Sequence, residues 1–274
     1  MKRKINKPKI LFVYDHKYEN LWRDGLWAAL NILEKDFEVE KFNIATAEKP
    51  PIWNHNFALG WGAFNSRVDI FLQNSKDKAP DTIKMGLCIA GNAFPPKGME
   101  KYDVLFYETE WYKNQIEKHP HIIHAFGTNA NIYNESSKSS LKIFDYLSVG
   151  SFSLWKRQDK IINKLGTKMV IGEIQKDNAK ESMDIIIDLL AGGVMVSDMV
   201  YPTKLRDLYA VSKVVYIPAN INGGGERAIL DARSCGCNVE IEPDNLKLQE
   251  LLNAPVWDEN YYAEQLKKGI QECL

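Results

Sequence analysis

The sequence predicts an α/β protein made of two successive units, each a parallel sheet with helices on both faces. Three observations carry that prediction. Short apolar runs rich in β-formers alternate with helix-length amphipathic segments. The alternation restarts after a polar gap at 129–140, "NANIYNESSKSS", which has a linker composition. The chain has 274 residues, above the mode of about 100–150 residues for one domain, so two units of about 130 residues each are the economical reading.

The elements follow in order. "KILFVY" at 9–14 is a compact run of β-formers, and 20–35 then carries Leu21, Trp22, Leu26, Ala29, Leu30 and Leu33 at helical spacing. The segment 37–44 alternates as a second strand and 68–73 as a third, while 85–90 and 104–107 are short apolar runs closed by polar residues or glycine. Beyond the gap, 144–149 reads as a strand, 160–164 as part of a short helix, 168–171 as a strand and 182–190 as a helix. Two short strands at 194–196 and 214–217 flank a helix at 203–211. A helix at 226–235 starts just after a run of glycines, a strand follows at 239–241, and an amphipathic helix at 260–273 closes the chain. The domains expected are therefore 1–135 and 136–257, with 258–274 as a helix packing back on the first.

Composition sets limits on function. The 45% apolar and 26% charged fractions are ordinary for a globular protein. Lys plus Arg number 35 against 36 Asp plus Glu, a net charge of −1, so no global electrostatic case for nucleic acid exists. The basic opening at 1–9 reads as a solvated tail, with a nucleic-acid arm as the alternative. No apolar run approaches the roughly 18–20 residues of a membrane span, and no signal-peptide pattern opens the chain. The expectation is a soluble, cytoplasmic protein without stable membrane insertion. Cys88, Cys235, Cys237 and Cys273 fit no metal-binding spacing and are expected as reduced, mostly buried thiols.

Two stretches carry chemistry. In a doubly wound sheet, ligands sit at the carboxyl ends of strands, where loops lead into helix N-termini. The predicted strand 214–217, the loop "PANINGGG" and the helix that follows make such a place. Backbone without Cβ atoms approaches a ligand closely, and the N–H groups of a helix start bind anions, so Gly223, Gly224 and Gly225 suggest a diphosphate seat. A flexible turn with a glycine N-cap is the alternative, and neither common phosphate fingerprint is present. Glu226 and Arg227 fall in the first helical turn, where an Arg sits badly against the helix dipole unless an anion receives it. Asp231 lies four residues after Arg227 on the same face, a spacing that a plain surface ion pair also explains. The second stretch is "GSFSLWKRQDKI", which puts Gly150, Ser151, Lys156 and Arg157 at a strand-to-helix crossing. Two adjacent cations there suit the two charges of a diphosphate, with a solvated Lys-Arg pair as the alternative.

These residues carry a resemblance. "VGSFSLWKR", "MVIGEI" and "LRDLYAVSKVVYIPANINGGGERAILDARSCGCNVEI" resemble the carboxyl-terminal domain of GT-B glycosyltransferases, close in layout to the retaining group with an E-x(7)-E motif. "HAFGTNANIY" at 124–133 is similar to the segment that crosses between the two domains in that group. The likeness spans roughly residues 120–245, and it implies two Rossmann-like domains facing a cleft, the amino-terminal one compact. It implies that Asp231 binds the donor ribose hydroxyls, that Lys156 with Arg157 and Ser151 holds the donor diphosphate, and that the glycine amides face the diphosphate or the sugar. The chain also departs from the pattern. The motif's first glutamate falls on Gly223, its usual Arg falls near Ser151, and the proline after Cys-Gly is missing; on the resemblance, Glu226, three residues later, is expected to replace the lost sugar-binding carboxylate.

The function implied is transfer of a hexosyl or pentosyl group from a nucleotide sugar to a hydroxyl. A UDP-sugar is the first choice of donor and a GDP-sugar the second. Negative charge builds on the leaving diphosphate opposite an oxocarbenium-like sugar, and cations with helix N-termini supply the stabilisation without a metal or other cofactor. For an inverting enzyme, Asp15 and Glu108 rank first as general base, ahead of His16, Asp24 and Glu110. Trp22, Trp27, Trp61 and Phe64 read first as core packing, with stacking on a sugar or base as the alternative. A glycan or lipid-linked sugar is the default acceptor and a hydroxylated DNA base the less favoured one. The other function classes are a noncatalytic sugar-nucleotide-binding protein and an NAD(P) oxidoreductase; against the latter, "YDHKYE" stands where a dinucleotide-binding fingerprint would follow the first strand.

Overall fold

The apolar run at the start of the chain forms β1 (Lys9–Tyr14), and Ile10 through Tyr14 are at most 1% exposed. A strand covered on both faces needs such an unbroken apolar sequence. The computed structural model describes residues 7–16, 23–76, 83–91, 96–137 and 139–274. After β1 come α1 (Gly25–Leu33), β2 (Glu38–Asn43), β3 (Phe57–Gly62), α2 (Arg67–Lys76), β4 (Lys84–Ile89), β5 (Val104–Tyr107), α3 (Glu110–Ile116) and β6 (Ile122–His124). The six strands pair in parallel in the order β2-β1-β3-β4-β5-β6.

Three expectations for this unit need correction. The segment 68–73 is not a strand but lies inside α2: Val68 and Leu72, four residues apart, are buried while Ile70 is 50% exposed. The short alternation of Val68, Ile70 and Leu72 imitates a strand, but Asp69 in the first turn fixes the helix, accepting from Asn65 N at 2.7 Å, Gln73 Nε2 at 2.8 Å and the buried Tyr102 hydroxyl at 2.5 Å. The strand that the sequence concealed is β3, "FALGWG". A Cβ at Gly60 would lie 2.5 Å from Leu72 Cδ1, so the glycine that weakens β3 as a sequence signal is what lets α2 lie close on it. The first helix starts at Gly25 rather than at residue 20, because Asp24 is its N-cap and accepts from Trp27 N at 3.0 Å. Asn20, Leu21, Trp22 and residues 1–6 of the basic opening lie outside the described residues. Of that opening, Lys7 donates to the Glu34 carbonyl at 2.7 Å and Lys9 pairs with Glu38 at 3.3 Å.

The second unit contains β7 (Phe144–Val149), β8 (Lys168–Gly172), α4 (Ala179–Ala191), β9 (Met195–Asp198), α5 (Pro202–Ala210), β10 (Ser212–Ile217), α6 (Glu226–Ser234), β11 (Asn238–Ile241) and α7 (Leu246–Asn253). Its five strands are also parallel, in the order β11-β10-β7-β8-β9. The chain winds outward from β7 through β8 and β9, then crosses back to β10 and β11. The order therefore reverses between β7 and β10, and the loops leaving these two strands lie side by side at the carboxyl edge of the sheet.

The units divide at Phe126/Gly127 and Asp258/Glu259, so the last helix, α8 (Glu259–Cys273), belongs to the first unit with residues 1–126. A Cβ at its Gly269 would lie 2.7 Å from the Phe106 ring. The polar stretch at 129–140 is no free linker, and the boundary expected at 135/136 falls inside the second unit. Tyr133 is buried edge-on to Tyr209, its carbonyl accepts from Ser234 Oγ at 2.6 Å, and Thr128 N donates to the Trp257 carbonyl at 2.9 Å. Composition marked this segment as polar, but Asn129 as well as Tyr133 is buried in the second unit. No helix among the described residues is long and apolar enough to cross a membrane.

Candidate functional site

The loop after β7 is shaped by Gly150, whose φ of +150° is glycine territory. Its N–H donates to the Ile171 carbonyl at 3.0 Å, and its own carbonyl accepts from the buried Gln158 at 3.0 Å. The stem of Lys156 lies across this glycine: a Cβ at Gly150 would sit 3.1 Å from Lys156 Cε and 3.4 Å from Nζ. The chain then turns tightly, with Lys156 N donating to Ser153 O at 2.9 Å, and Arg157 takes a left-handed φ of +49°. That reversal sends the neighbouring cations to different places.

Arg157 does not join Lys156. Its guanidinium grips Asp244 with two bonds of 2.6 and 2.7 Å, and its Nε donates to the Pro218 carbonyl at 2.8 Å. The Asp244 carboxylate holds the Arg157 guanidinium above its usual pKa. Lys160 continues the same seam with Glu242 at 2.5 Å, and Lys164 pairs with Glu240. Of the two adjacent cations, Arg157 thus braces the loop after β10, while Lys156 lies against Gly150. Ser151 Oγ accepts from Gln175 Nε2 at 3.2 Å.

That loop is tied down rather than free. Asn220 N donates to the Trp155 carbonyl at 3.0 Å, and Gly223 N to the Asn220 carbonyl at 2.8 Å. Asn245, fully buried at the N-cap of α7, donates to the carbonyls of Ala219 at 3.0 Å and Asn220 at 2.8 Å. The three glycines have three different uses. Gly223 presses on the Trp155 backbone, where a Cβ would come within 2.2 Å of a carbonyl oxygen, and its amide bonds within the loop to Asn220. Gly225, at φ +118°, turns the chain into α6, which starts without a side-chain cap. Gly224, at φ +66°, leaves a space in which a Cβ would lie 3.2 Å from Glu226 Oε2 and 3.5 Å from Lys156 Nζ.

Lys156 and Glu226 border that space, and behind Glu226 stands a residue that sequence reading missed, Lys247. Lys247 Nζ sits 2.7 Å from Glu226 Oε1, and both side chains are buried. Burial pulls the Lys156 ammonium down to about 8; the Glu226 carboxylate opposes this, while Arg227 and Lys247 add to it. Burial alone would raise the Glu226 pKa, but Lys247 and Lys156 outweigh it and hold the group below the usual range. The result is a net positive patch at an uncapped helix start, which suits an anion. Asp231 lies further along α6, buried, and accepts from Thr128 Oγ1 at 2.5 Å.

The other predicted groups lie in the first unit. Asp15 follows β1 and pairs with Arg67 at 3.1 Å. Glu108 follows β5 and is buried, its carbonyl 3.2 Å from His124 Nε2, whose other nitrogen meets Tyr261 OH at 2.9 Å. Burial lowers the pKa of His124. His16 N donates to Asn43 Oδ1 at 3.2 Å, Asp24 caps α1, and Glu110 pairs with Lys113 at 2.9 Å. Trp27 takes Lys41 over its face at 4.6 Å, Trp61 is half-buried, and Phe64 is core, 3% exposed and edge-on to Tyr102. Phe64 thus packs in the core, as its sequence reading favours.

Asn245 and Lys247 went unrecognised because α7 was not seen, and Thr128 because its partner Asp231 is 103 residues away in sequence. The one sequence signal of α7 was Asn245 as an N-cap before Leu248 and Leu251.

No protein-family model matches the chain, and no curated protein matches its sequence. Solved structures do match its fold. Sucrose-phosphate synthase from Thermosynechococcus elongatus aligns with a TM-score of 0.67 at 9% identity, over 97% of this chain and 90% of that one. HepE from Anabaena, solved with UDP and glucose, aligns with 0.61 at 13% identity, over 97% and 89%. An α-glucosyltransferase solved with UDP and a 13-mer DNA containing an HMU base aligns with 0.54 at 11% identity, over 97% and 90%. Two Rossmann-like α/β units with parallel sheets, shared with these proteins across nearly the whole chain, give this protein the GT-B fold of glycosyltransferases.

Proposed function

We propose that the protein is a glycosyltransferase that moves a sugar from a nucleotide-sugar donor, a UDP-sugar by first choice, to a hydroxyl acceptor. The observation that carries this reading is the convergence of Lys156, Gly224, Glu226 and the start of α6 at the strand-order reversal of the second sheet. Open α/β sheets take ligands at that position. Lys156 and the α6 N-terminus meet the donor diphosphate and stabilise the charge that develops as the glycosidic bond breaks. Glu226 accepts a hydroxyl of the donor sugar in place of the carboxylate lost at Gly223. Asp231, oriented by Thr128, accepts the ribose hydroxyls. The fold neighbours solved with UDP support this choice of donor.

The reaction needs no metal on this reading, because fixed positive groups already face the leaving diphosphate. Asp15 and Glu108 are the proposed general bases should the reaction invert, and a carbohydrate is the proposed acceptor, with a hydroxylated DNA base second. The test is calorimetric titration of the full chain with UDP-, GDP-, dTDP- and CMP-sugars and NAD(P), with EDTA present, for wild type and Asp231→Ala. Binding of one sugar-nucleotide group, lost in the variant, is expected, as is slow release of UDP from that donor. Binding of NAD(P) alone, or of no sugar nucleotide, would overturn the proposal.

A further inference from the structure

Helix α7 is inverted at its first turn. Leu246 is 60% exposed, whereas Lys247 is fully buried beside the core residues Leu248 and Leu251. Burying an ammonium is costly, and a lysine at a helix N-terminus also opposes the helix dipole. If α7 needed only packing at this position, a hydrophobic residue would serve as well or better than a buried ion pair. What Lys247 gains is Glu226, 2.7 Å away through Oε1.

The two oxygens of Glu226 then have different surroundings. Oε1 is committed to Lys247, and Oε2 lies 3.2 Å from the point that a Cβ on Gly224 would fill. Lys156 Nζ lies 3.5 Å from the same point. One small volume is therefore bordered by an ammonium, which takes a phosphate oxygen, and by a carboxylate oxygen, which takes a hydroxyl. With the ribose hydroxyls of a nucleoside diphosphate directed to Asp231, only a sugar diphosphate brings a further hydroxyl next to the phosphate to fill the second place.

Resting on the donor site proposed above, we infer that Lys247 is a positioning residue: it orients Glu226 so that Oε2 reads a hydroxyl of the donor sugar, and it acts on the sugar rather than on the nucleotide. Two physical consequences follow. Loss of Lys247 leaves the Glu226 side chain buried without its anchor, so the preference for UDP-sugar over UDP goes while UDP binding stays. In a protein that already lacks the Glu226 charge, Lys247 has nothing left to orient.

The experiment is calorimetric titration of UDP and UDP-glucose into wild type, Lys247→Met, Glu226→Gln and the double variant Glu226→Gln/Lys247→Met. The double variant removes both charges and so keeps the test valid if Lys247→Met alone fails to fold. In wild type the ratio of UDP-glucose to UDP affinity is set by a charge-assisted hydrogen bond, and it falls roughly tenfold or more in Lys247→Met and in Glu226→Gln alike. UDP affinity stays within about threefold in all four proteins, and the double variant matches Glu226→Gln. An unchanged ratio in Lys247→Met, or a further loss in the double variant relative to Glu226→Gln, would overturn the inference while leaving the donor site intact. Failure of wild type to bind either compound would overturn the donor site itself, and this inference with it.

Discussion

Arg157 separates two accounts of the loop after β7, and its replacement by methionine tells them apart. In the structure its guanidinium makes a two-pronged bond to Asp244, 2.6 and 2.7 Å, and a third bond of 2.8 Å to the Pro218 carbonyl. The Arg157 side chain is 20% exposed and that of Asp244 is 55% exposed, so solvent screens the pair and it contributes about 1 kcal/mol, the upper end for such pairs. The Pro218 bond adds about 1 kcal/mol. Arg157→Met therefore costs about 2 kcal/mol, and a domain of this size loses roughly 2–4 °C of Tm per kcal/mol, so its transition falls by roughly 4–8 °C. Asp244→Asn costs about half as much, and the double-mutant cycle returns a coupling of about 1 kcal/mol. UDP affinity stays within about twofold of wild type, whereas Lys156→Met lowers it by roughly ten- to a hundredfold through loss of a charge-assisted bond. Thermal melts and UDP titrations of wild type, the two single variants of the pair, their double variant and Lys156→Met make the measurement. If Arg157→Met weakened UDP binding tenfold with an unchanged Tm, the guanidinium would belong to the ligand and the brace would be wrong.

Other outcomes follow from the same geometry. With the Lys156 ammonium pulled down to about 8, a bound diphosphate raises its pKa, so the affinity for UDP-glucose, whose diphosphate does not titrate near neutrality, is constant below about pH 7 and falls as pH rises above about 8. Titration at about pH 9 in two buffers of different ionisation enthalpy should show proton uptake, and its absence there would contradict contact between Lys156 and the diphosphate. The unfolded chain holds this lysine's proton up to about pH 10.4, so the contribution of Lys156 to stability rises with pH between about 8 and 10.4. Gly224→Ala costs about 1–2 kcal/mol for a left-handed backbone but also fills the space beside Glu226 Oε2 and Lys156 Nζ, so UDP-glucose binding is lost in a protein that still folds by circular dichroism. Gly60→Ala drives a methyl to within 2.5 Å of Leu72 Cδ1 and 3.0 Å of Val68 Cγ1, an overpacking of about 1–3 kcal/mol visible in chemical denaturation; a neutral result would contradict the close seat of α2 on β3.

Much of the fold was legible because it rests on local pattern. The buried strand at 9–14, the helices around 182–190, 203–211 and 226–235, and the strands beside them show apolar periodicity strong enough to declare type and place. What was missed had a weak or divided signal. β3 holds two glycines, β6 has three residues, α3 has seven, and the strand-like alternation in α2 was a coincidence of Val68, Ile70 and Leu72. Polar composition at 129–140 suggested a linker, but one buried tyrosine and a set of backbone bonds make it part of the second unit.

For the site, the sequence by itself determined where chemistry gathers: a glycine-rich turn into α6 and a basic turn after β7, both at the carboxyl ends of strands of one sheet. It could not say which cation faces the glycines. Lys156 and Arg157 are adjacent and equally charged, yet the left-handed turn at Arg157 delivers its fork to Asp244, 87 residues away in sequence, and leaves Lys156 beside Gly224. Lys247 reads as an ordinary surface residue until α7 brings it against Glu226 in the interior. Periodicity is a property of neighbours along the chain, so sequence fixes elements; an ionised side chain takes its role from the partners and solvent around it, and those are assembled only when distant segments pack.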